Sequence, residues 1–297
     1  MYGCASCLED LVDRIDQSLK SSGNDFEVVL IDDRSPDNAW QKIQSLALTR
    51  PWLKGIRLAR NFGQHYAIAA GIEYAQGEIT VVMDCDLQDV PEEIPHLING
   101  LADGADIALA QRVERQDSIM KRLGSWAFFR TLSWMTGVPQ DHTTANFGAY
   151  SRKVIDAVNA MPERERCFPL MVRWTGFNYV KVPVAHAPRG DGKSSYNFKK
   201  LFKLAINIIL SYSDKPLRLV VRMGLAFSAI AFAMVFLSVA RYLNGDIQIA
   251  GFTSIVASIW LVGGMTILCL GIIGLYLARL FMEAKGRPYY VVAETID

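Results

Sequence analysis

The chain runs to 297 residues, 51% of them hydrophobic, and its 31 basic and 30 acidic residues leave a net charge of +1. That balance gives no global basic field, which argues against a nucleic-acid partner, and the length suffices for a full core with apolar sequence to spare. Five cysteines, an odd number, fit a reducing compartment better than a disulfide framework.

In chain order, Cys4 and Cys7 read as ordinary thiols at a helix start, because no second pair accompanies them and His65, His96, His142 and His186 are scattered. Leu8, Leu11, Val12, Ile15 and Leu19 then recur at helical spacing, and Phe26 to Ile31 is a short apolar run ending in Asp32-Asp33, as a buried strand does. Ser35-Pro36 offers an N-cap and first-turn proline for the next helix. Alternation continues with a strand near Leu53 to Leu58, a helix near Gln64 to Ala75, a strand at Ile79 to Met83, a helix near Glu92 to Leu101 and a strand at Asp106 to Ala110. Repeated strand–helix units with continuous apolar strands predict an α/β fold with a mostly parallel sheet and helices on both faces. Asn178 to Val184 reads as one more strand. Phe198 to Tyr212 predicts an amphipathic helix, with Phe198, Leu201, Phe202, Ala205, Ile209 and Tyr212 opposite Lys199, Lys200 and Lys203. Such a helix suits the membrane headgroup interface, or a core with a solvated lysine face.

Apolar sequence is concentrated after Pro216. Met223 to Ala240 and Ile247 to Ala278 contain no Asp, Glu, Lys or Arg, and each exceeds or approaches the ~20 helical residues that cross a ~30 Å hydrocarbon layer. Lys215, Arg218 and Arg222 precede the first stretch and Arg279, Lys285 and Arg287 end the second, while the connection holds only Arg241 and Asp246. The positive-inside bias therefore predicts a multi-pass protein of the cytoplasmic membrane, with both termini and the large domain in the cytoplasm and no secretory signal. The expected organisation is a catalytic domain over 1–195, an amphipathic juxtamembrane helix over 196–216, a two-helix transmembrane hairpin over 217–282 and a cytoplasmic tail over 283–297.

Polar clusters follow the predicted strands: Asp32-Asp33, Arg60-Asn61-Phe62-Gly63, Asp84-Cys85-Asp86 and Gln111-Arg112. All four would gather along the carboxyl edge of one sheet, where open α/β sheets bind ligands. Asp84 and Asp86, one residue apart where a strand loses its pairing, suit a hard divalent cation with coordination sites left open for phosphate oxygens. An isolated Asp-x-Asp is most often a solvated acidic turn, and it is the company of the other clusters that favours a nucleotide site.

Five stretches occur in a fixed order: Val29-Leu-Ile-Asp-Asp-Arg-Ser-Pro-Asp37, Asn61-Phe-Gly-Gln-His-Tyr-Ala-Ile-Ala-Ala-Gly71, Met83-Asp-Cys-Asp-Leu-Gln-Asp89, Phe147-Gly-Ala-Tyr-Ser-Arg-Lys-Val154 and Gly192-Lys-Ser-Ser-Tyr196. With a closing Gly271-Ile-Ile-Gly-Leu-Tyr-Leu-Ala-Arg279, they make the whole chain resemble inverting glycosyltransferases of family 2, in the polyprenyl-phosphate branch that includes dolichol-phosphate mannose synthases. The resemblance implies a GT-A nucleotide-binding fold. Asp32 and Asp33 would sit by the base and ribose with Tyr2 stacking nearby, and the backbone at Asn61 and Gly63 would approach the nucleotide closely. Asp84 and Asp86 would hold Mg or Mn against the donor diphosphate, with Gln88 and Asp89 lining the donor sugar or the metal's outer shell. For a lipid phosphate acceptor the matching cations and donors are Arg112, Lys121 or Arg122, Ser125, Arg189 and Lys193, with Arg112 and Lys193 foremost.

Two departures from the family pattern stand out. Met1-Tyr2-Gly3-Cys4 begins where a family member's first apolar strand finishes, so that strand is expected to be missing here. Asn146 stands where some relatives carry an aspartate proposed as base, which leaves Asp141 as the fallback. The expected function is transfer of a sugar from a nucleotide sugar, UDP favoured, to polyprenyl phosphate of the undecaprenyl type, with inversion, at a lipid bilayer. The product is a lipid-linked monosaccharide for cell-envelope glycans, and self-association is left open. Alternatives are a GDP-mannose-using enzyme like dolichol-phosphate mannose synthase, a relative of processive polysaccharide synthases suggested by Val172-Arg173-Trp174, and an inactive membrane scaffold. An NTPase is suggested by Ala187-Pro-Arg-Gly-Asp-Gly-Lys-Ser194, but Pro183 and Pro188 interrupt the strand that a phosphate loop needs.

Overall fold

The computed structural model describes residues 1–297 apart from 21–22, 24, 103, 113–129, 131–132, 134, 136–143, 186–212 and 245–250. Two compact units result, one from Met1–Trp134, Val138–Tyr196 and Arg287–Asp297, the other from Met135–Gly137 and Asn197–Gly286.

In the first unit, the stripe Leu8, Leu11, Val12 and Ile15 buries one side of α1 (Leu8–Lys20), with Glu9 and Asp10 in its first turn and Lys20 in its last, matching the helix dipole. β1 (Val28–Asp32) and β2 (Leu53–Leu58) pair in parallel, with α2 (Ala39–Ala47) between them in sequence. Their core is Leu30, Trp40, Ile43, Leu46 and Leu53, against which Leu8 and Val12 pack. The expected cap at Ser35-Pro36 is not used: α2 starts at Ala39 after Asn38, because the Ser35 hydroxyl is already engaged with Asp37 and with the Gly3 N–H. Residues 283–297, expected as a tail, instead contribute β7 (Val292–Ile296), which pairs antiparallel with β2 and completes a sheet of order β1-β2-β7.

The second sheet has the order Ile79–Val82 (β3), Thr144–Ser151 (β5), Ile107–Arg112 (β4), Tyr179–Val184 (β6). β3 (Ile79–Val82) follows α3 (Gln64–Tyr74), and β4 (Ile107–Arg112) follows a short turn of helix and α4 (Ile94–Asn99). β5 (Thr144–Ser151) runs antiparallel to both β3 and β4, and β6 (Tyr179–Val184) runs parallel to β4. α5 (Arg152–Asn159) and α6 (Phe168–Trp174) lie between β5 and β6 in sequence. Leu97, Ala108, Phe147, Ala149 and Val182 form this sheet's core, joined by Leu11 and Ile15, so α1 covers both sheets with adjacent parts of one stripe.

The expectation of one mostly parallel sheet is thus corrected. Two sheets are present, and among the described strands only β1–β2 and β4–β6 are parallel pairs. No ladder among the described residues joins β1 to β3. Beside β1, Met1 donates to the Ile31 carbonyl at 2.6 Å and accepts from the Asp33 N–H at 3.0 Å, the exchange of a single parallel rung opposite Asp32.

The second unit is built on α7 (Lys215–Leu243) and α8 (Phe252–Ala284), helices of 29 and 33 residues. At ~1.5 Å per residue, α8 is about 50 Å long. Leu261–Ala284 has mean hydropathy 2.2 with none of it buried, which makes it long and apolar enough to cross a membrane. Within this unit the Tyr276 hydroxyl donates to the Ser213 carbonyl at 2.7 Å. The expected amphipathic helix over 198–212 lies outside the described residues.

Candidate active site

Three of the four polar clusters expected to converge are joined by direct hydrogen bonds at the strand exits. At the end of β1, Asp33 is buried and accepts the Phe62 N–H on one oxygen at 2.7 Å and the Gly63 N–H on the other at 2.8 Å. This clamps the loop after β2 where it enters α3. Gly63 has φ 105°, a conformation that suits glycine, and the space where a Cβ would sit is open. Gln64, the first residue of α3, then donates from Nε2 to Asp84 Oδ1 at 2.7 Å, linking the first sheet's exit to the turn after β3.

That turn is folded by its own carboxylates. The Asp84 N–H donates to buried Asp89 Oδ2 at 3.3 Å, and Asp86 Oδ1 accepts the Gln88 N–H at 3.2 Å. Leu87 at the apex has φ 58°, an uncommon left-handed conformation for a branched residue and a local strain that the flanking hydrogen bonds hold in place. Antiparallel pairing of Val82 with Gly148 and of Leu109 with Gly148 brings the exits of β3 and β4 to the beginning of β5. Asn146 therefore shares one edge with Asp84 and with Gln111-Arg112.

The amino-terminal segment closes over the β1 exit. The Gly3 N–H donates to Ser35 Oγ at 2.6 Å and the Ala5 N–H to Asp37 Oδ2 at 2.9 Å. Cys4 is disulfide-bonded to Cys85, the residue between Asp84 and Asp86, and Cys7 Sγ lies 3.0 Å from the Cys85 carbonyl. The reading of Cys4 as an ordinary thiol is corrected: its partner is 81 residues away, a pairing that no local spacing reveals. Tyr2 is 56% exposed beside this segment, so its ring is accessible.

The electrostatics are set by burial. Burial raises the Asp32 carboxyl above the ordinary range, opposed by the Ser35 N–H at 2.9 Å and by Arg57 Nε at 3.4 Å. Arg57 is shared, since its Nη1 also donates to Glu294 Oε1 of β7 at 2.8 Å, while Trp40 Nε1 donates to Glu294 Oε2 at 2.9 Å. Burial also lowers the Met1 amino group, against the attraction of Asp33, Asp32 and Asp84.

Of the residues singled out from sequence, Asp32, Asp33, Gly63, Asp84, Asp86, Gln88 and Asp89 lie in this connected region. Asn61 is exposed on the clamped loop, and Arg112 ends β4 on the second sheet. Asp141, Lys121, Arg122, Ser125, Arg189 and Lys193 lie outside the described residues. Gln64, Arg57 and Glu294 were not singled out. Gln64 had a visible signal as the polar residue directly after Gly63, whereas Arg57 and Glu294 look like ordinary strand charges until the strands pair.

Among the described residues no group of three or more His, Cys, Asp or Glu side chains is arranged to hold a metal ion by itself. Mg and Mn need less, because they bind through one or two carboxylates and complete their shell with water and substrate phosphates. Asp84 and Asp86 supply oxygen donors only, and the intervening sulfur of Cys85 is committed to Cys4, so the donor set fits a hard cation.

The model of glycosyl transferase family 2 matches residues 1–157, more than half of the chain and all of the strand exits described above. The chain belongs to glycosyl transferase family 2. As a glycosyltransferase it carries a GT-A-like α/β fold. It is 31% identical over 295 residues to an uncharacterised glycosyltransferase of Synechocystis sp., covering 99% of this chain and 93% of that protein. It is also 31% identical over 300 residues to the undecaprenyl-phosphate 4-deoxy-4-formamido-L-arabinose transferase of Pseudomonas aeruginosa, covering 100% of this chain and 88% of that one. Among solved structures, mannosyl-3-phosphoglycerate synthase from Rubrobacter xylanophilus superposes with a TM-score of 0.48 at 11% identity, over 75% of this chain and 72% of that chain.

Proposed function

We propose that this glycosyltransferase moves a sugar from a nucleotide sugar, a UDP-sugar in the first instance, to polyprenyl phosphate at the cytoplasmic face of a membrane. The observation that carries the reading is the hydrogen-bonded chain Asp33–Gly63–Gln64–Asp84, which gathers nucleotide-type and cation-type carboxylates, in a protein that also holds a long exposed apolar helix. Full-length similarity to an undecaprenyl-phosphate sugar transferase supports the lipid acceptor.

In this reading Asp33 does not touch the donor. It spends both oxygens on the loop before α3, so that the backbone at Asn61 and Gly63 is fixed for close approach of the nucleotide, with Asp32 and Tyr2 facing base and ribose. Gln64 and Asp89 orient Asp84 and its turn, and Gln88 faces the sugar. Asp84 and Asp86 would hold Mg or Mn, which when bound supplies positive charge to the diphosphate as it leaves. Arg112, Lys121 or Arg122, Ser125, Arg189 and Lys193 are assigned to the acceptor phosphate.

The reaction is a direct displacement at the anomeric carbon. A lipid phosphate oxygen forms the new bond as the bond to the nucleoside diphosphate breaks, the electron pair leaves with the diphosphate, and the configuration inverts. A phosphate monoester with a second pKa of about 6 is already mostly dianionic at neutral pH, so Asn146 serves at the site edge without accepting a proton. α7 and α8 are proposed as a two-span hairpin. Since chain before and after the hairpin belongs to the same compact unit, an even number of crossings fits, and the positive-inside bias of Lys215, Arg218, Arg222, Lys285 and Arg287 supports a cytoplasmic side for that unit.

The test is to incubate membranes bearing the full-length protein with a panel of labelled nucleotide sugars and polyprenyl phosphate, with and without Mn. Label in the lipid extract from one UDP-sugar, dependent on the added lipid, is expected. Label from none of the panel, or only in a water-soluble polymer, contradicts the reading.

A further inference from the structure

Cys85 stands between the two carboxylates of the Asp84–Asp86 turn, and its sulfur is bonded to Cys4. Cys4 in turn sits on a segment anchored on both sides, by Gly3 to Ser35 and by Ala5 to Asp37, while Cys7 donates from Sγ to the Cys85 carbonyl at 3.0 Å. Three sulfurs therefore surround one short turn. The bond ties the turn after β3 to the exit of β1, two pieces of chain that no ladder among the described residues joins.

We propose that Cys4 and Cys85 are a reversible dithiol–disulfide site, exchanging with low-molecular-weight thiols and disulfides, whose oxidised state holds the Asp84–Asp89 turn in order. A catalytic unit facing the cytoplasm meets a thiol-rich solvent, in which disulfides that form are typically transient rather than structural. That placement, and the consequence for donor binding, rest on the function proposed above.

The chemistry balances as thiol–disulfide exchange. A thiolate of an external dithiol attacks the sulfur of Cys85, which is less buried than Cys4, and the Cys4 sulfur leaves as a thiolate and takes up a proton. The second thiol of the reductant attacks the mixed disulfide, releasing Cys85, which takes up the second proton. Two electrons and two protons pass to the protein, and the reductant ends as a disulfide. Glutathione disulfide reverses the process and yields two molecules of glutathione. In the reduced form the turn keeps Gln64 and Asp89 but loses its tether to the amino-terminal segment, so its local opening becomes easier.

The experiment uses the full chain in detergent micelles, equilibrated with either glutathione disulfide or dithiothreitol. Alkylation with N-ethylmaleimide and mass spectrometry identify the paired cysteines, and amide hydrogen exchange follows residues 84–89. Cys4 and Cys85 are expected to resist alkylation when oxidised and to react together when reduced, with the turn exchanging about tenfold faster after reduction. Cys4→Ser and Cys85→Ala should both exchange fast under either condition, and Cys7→Ser should keep the redox response. Alkylation of Cys4 or Cys85 under glutathione disulfide, pairing through Cys7 instead, or equal exchange in the two states overturns the proposal. Binding of Mn and UDP, measured in parallel, should be weaker in the reduced form. If neither form binds them, the glycosyl-transfer reading fails while alkylation and exchange still decide the redox site.

Discussion

Replacing Asp33 tests whether the loop after β2 is held by a buried carboxylate. Asp33 is 3% exposed, and its two oxygens accept the N–H groups of Phe62 and Gly63 at 2.7 and 2.8 Å. Hydrogen bonds to a charged group contribute about 1.5 to 3 kcal/mol each, so Asp33→Ala, which removes both acceptors, should cost about 3 to 6 kcal/mol. Relief from burying the charge reduces this toward the lower end. Asp33→Asn keeps one acceptor but sets an N–H₂ group against the second donor, so it should recover at most half. Because heat unfolding of a detergent-solubilised protein is often irreversible, amide hydrogen exchange at equilibrium is the better assay. A loss of about 3 kcal/mol corresponds to roughly 100-fold faster exchange, expected in residues 62–67 at the start of α3. Nucleotide binding should weaken in step, because Gln64 and through it Asp84 ride on that helix start. Unchanged protection of residues 62–67 in Asp33→Ala would refute the clamp.

Three further outcomes follow from named contacts. Gly55→Ala in β2 would place a Cβ 2.7 Å from Ile43 Cγ2 and 3.2 Å from Ile296 Cδ1, so it should destabilise by about 1 to 3 kcal/mol and loosen β7; full protection of β7 amides would contradict this. In acid, β7 should loosen. The hydrogen bonds from Arg57 and then Trp40 hold Glu294 below the ordinary carboxylate range, so its stabilisation is present above about pH 4.3 and is lost as pH falls through the lowered folded value. Asp32, raised by burial, has the opposite sign and offsets part of the loss, since it favours folding when protonated. Glu294→Gln should remove most of the acid sensitivity of β7 exchange, and an identical pH profile in that variant would show that another group is responsible. Asn146→Ala should retain substantial transfer activity, because a dianionic phosphate needs no base, and complete loss with intact folding would contradict that mechanism.

Part of this was legible in the sequence because Val28–Ile31 and Ile79–Met83 are apolar runs that end in polar residues. Val28–Asp32 and Ile79–Val82 could be read from composition, and their carboxylates were placed correctly at the exits. β5 was not legible as a strand. Thr144-Ala-Asn-Phe-Gly-Ala-Tyr-Ser151 has no alternating pattern, and Gly148 is there because a Cβ would lie 2.9 Å from the Ala108 carbonyl of the neighbouring strand. β7 has mostly exposed side chains and comes after a long apolar helix, so nothing local marks it. It is held by Glu294 reaching Arg57 and Trp40, partners 237 and 254 residues away. The same distance problem hid the disulfide. Sequence reported what each strand end carries, while the partners that fix those ends are long-range and appear only when the sheets form.

The most direct measurement of the central claim is sugar transfer to polyprenyl phosphate by purified full-length protein and by Asp84→Asn and Asp86→Asn, each with Mn and with a chelator. The account expects labelled lipid from the unaltered protein with Mn, and none from either variant or in chelator, with folding of the variants confirmed by amide exchange. Equal labelling of the lipid by either folded variant, or in the presence of chelator, would contradict it.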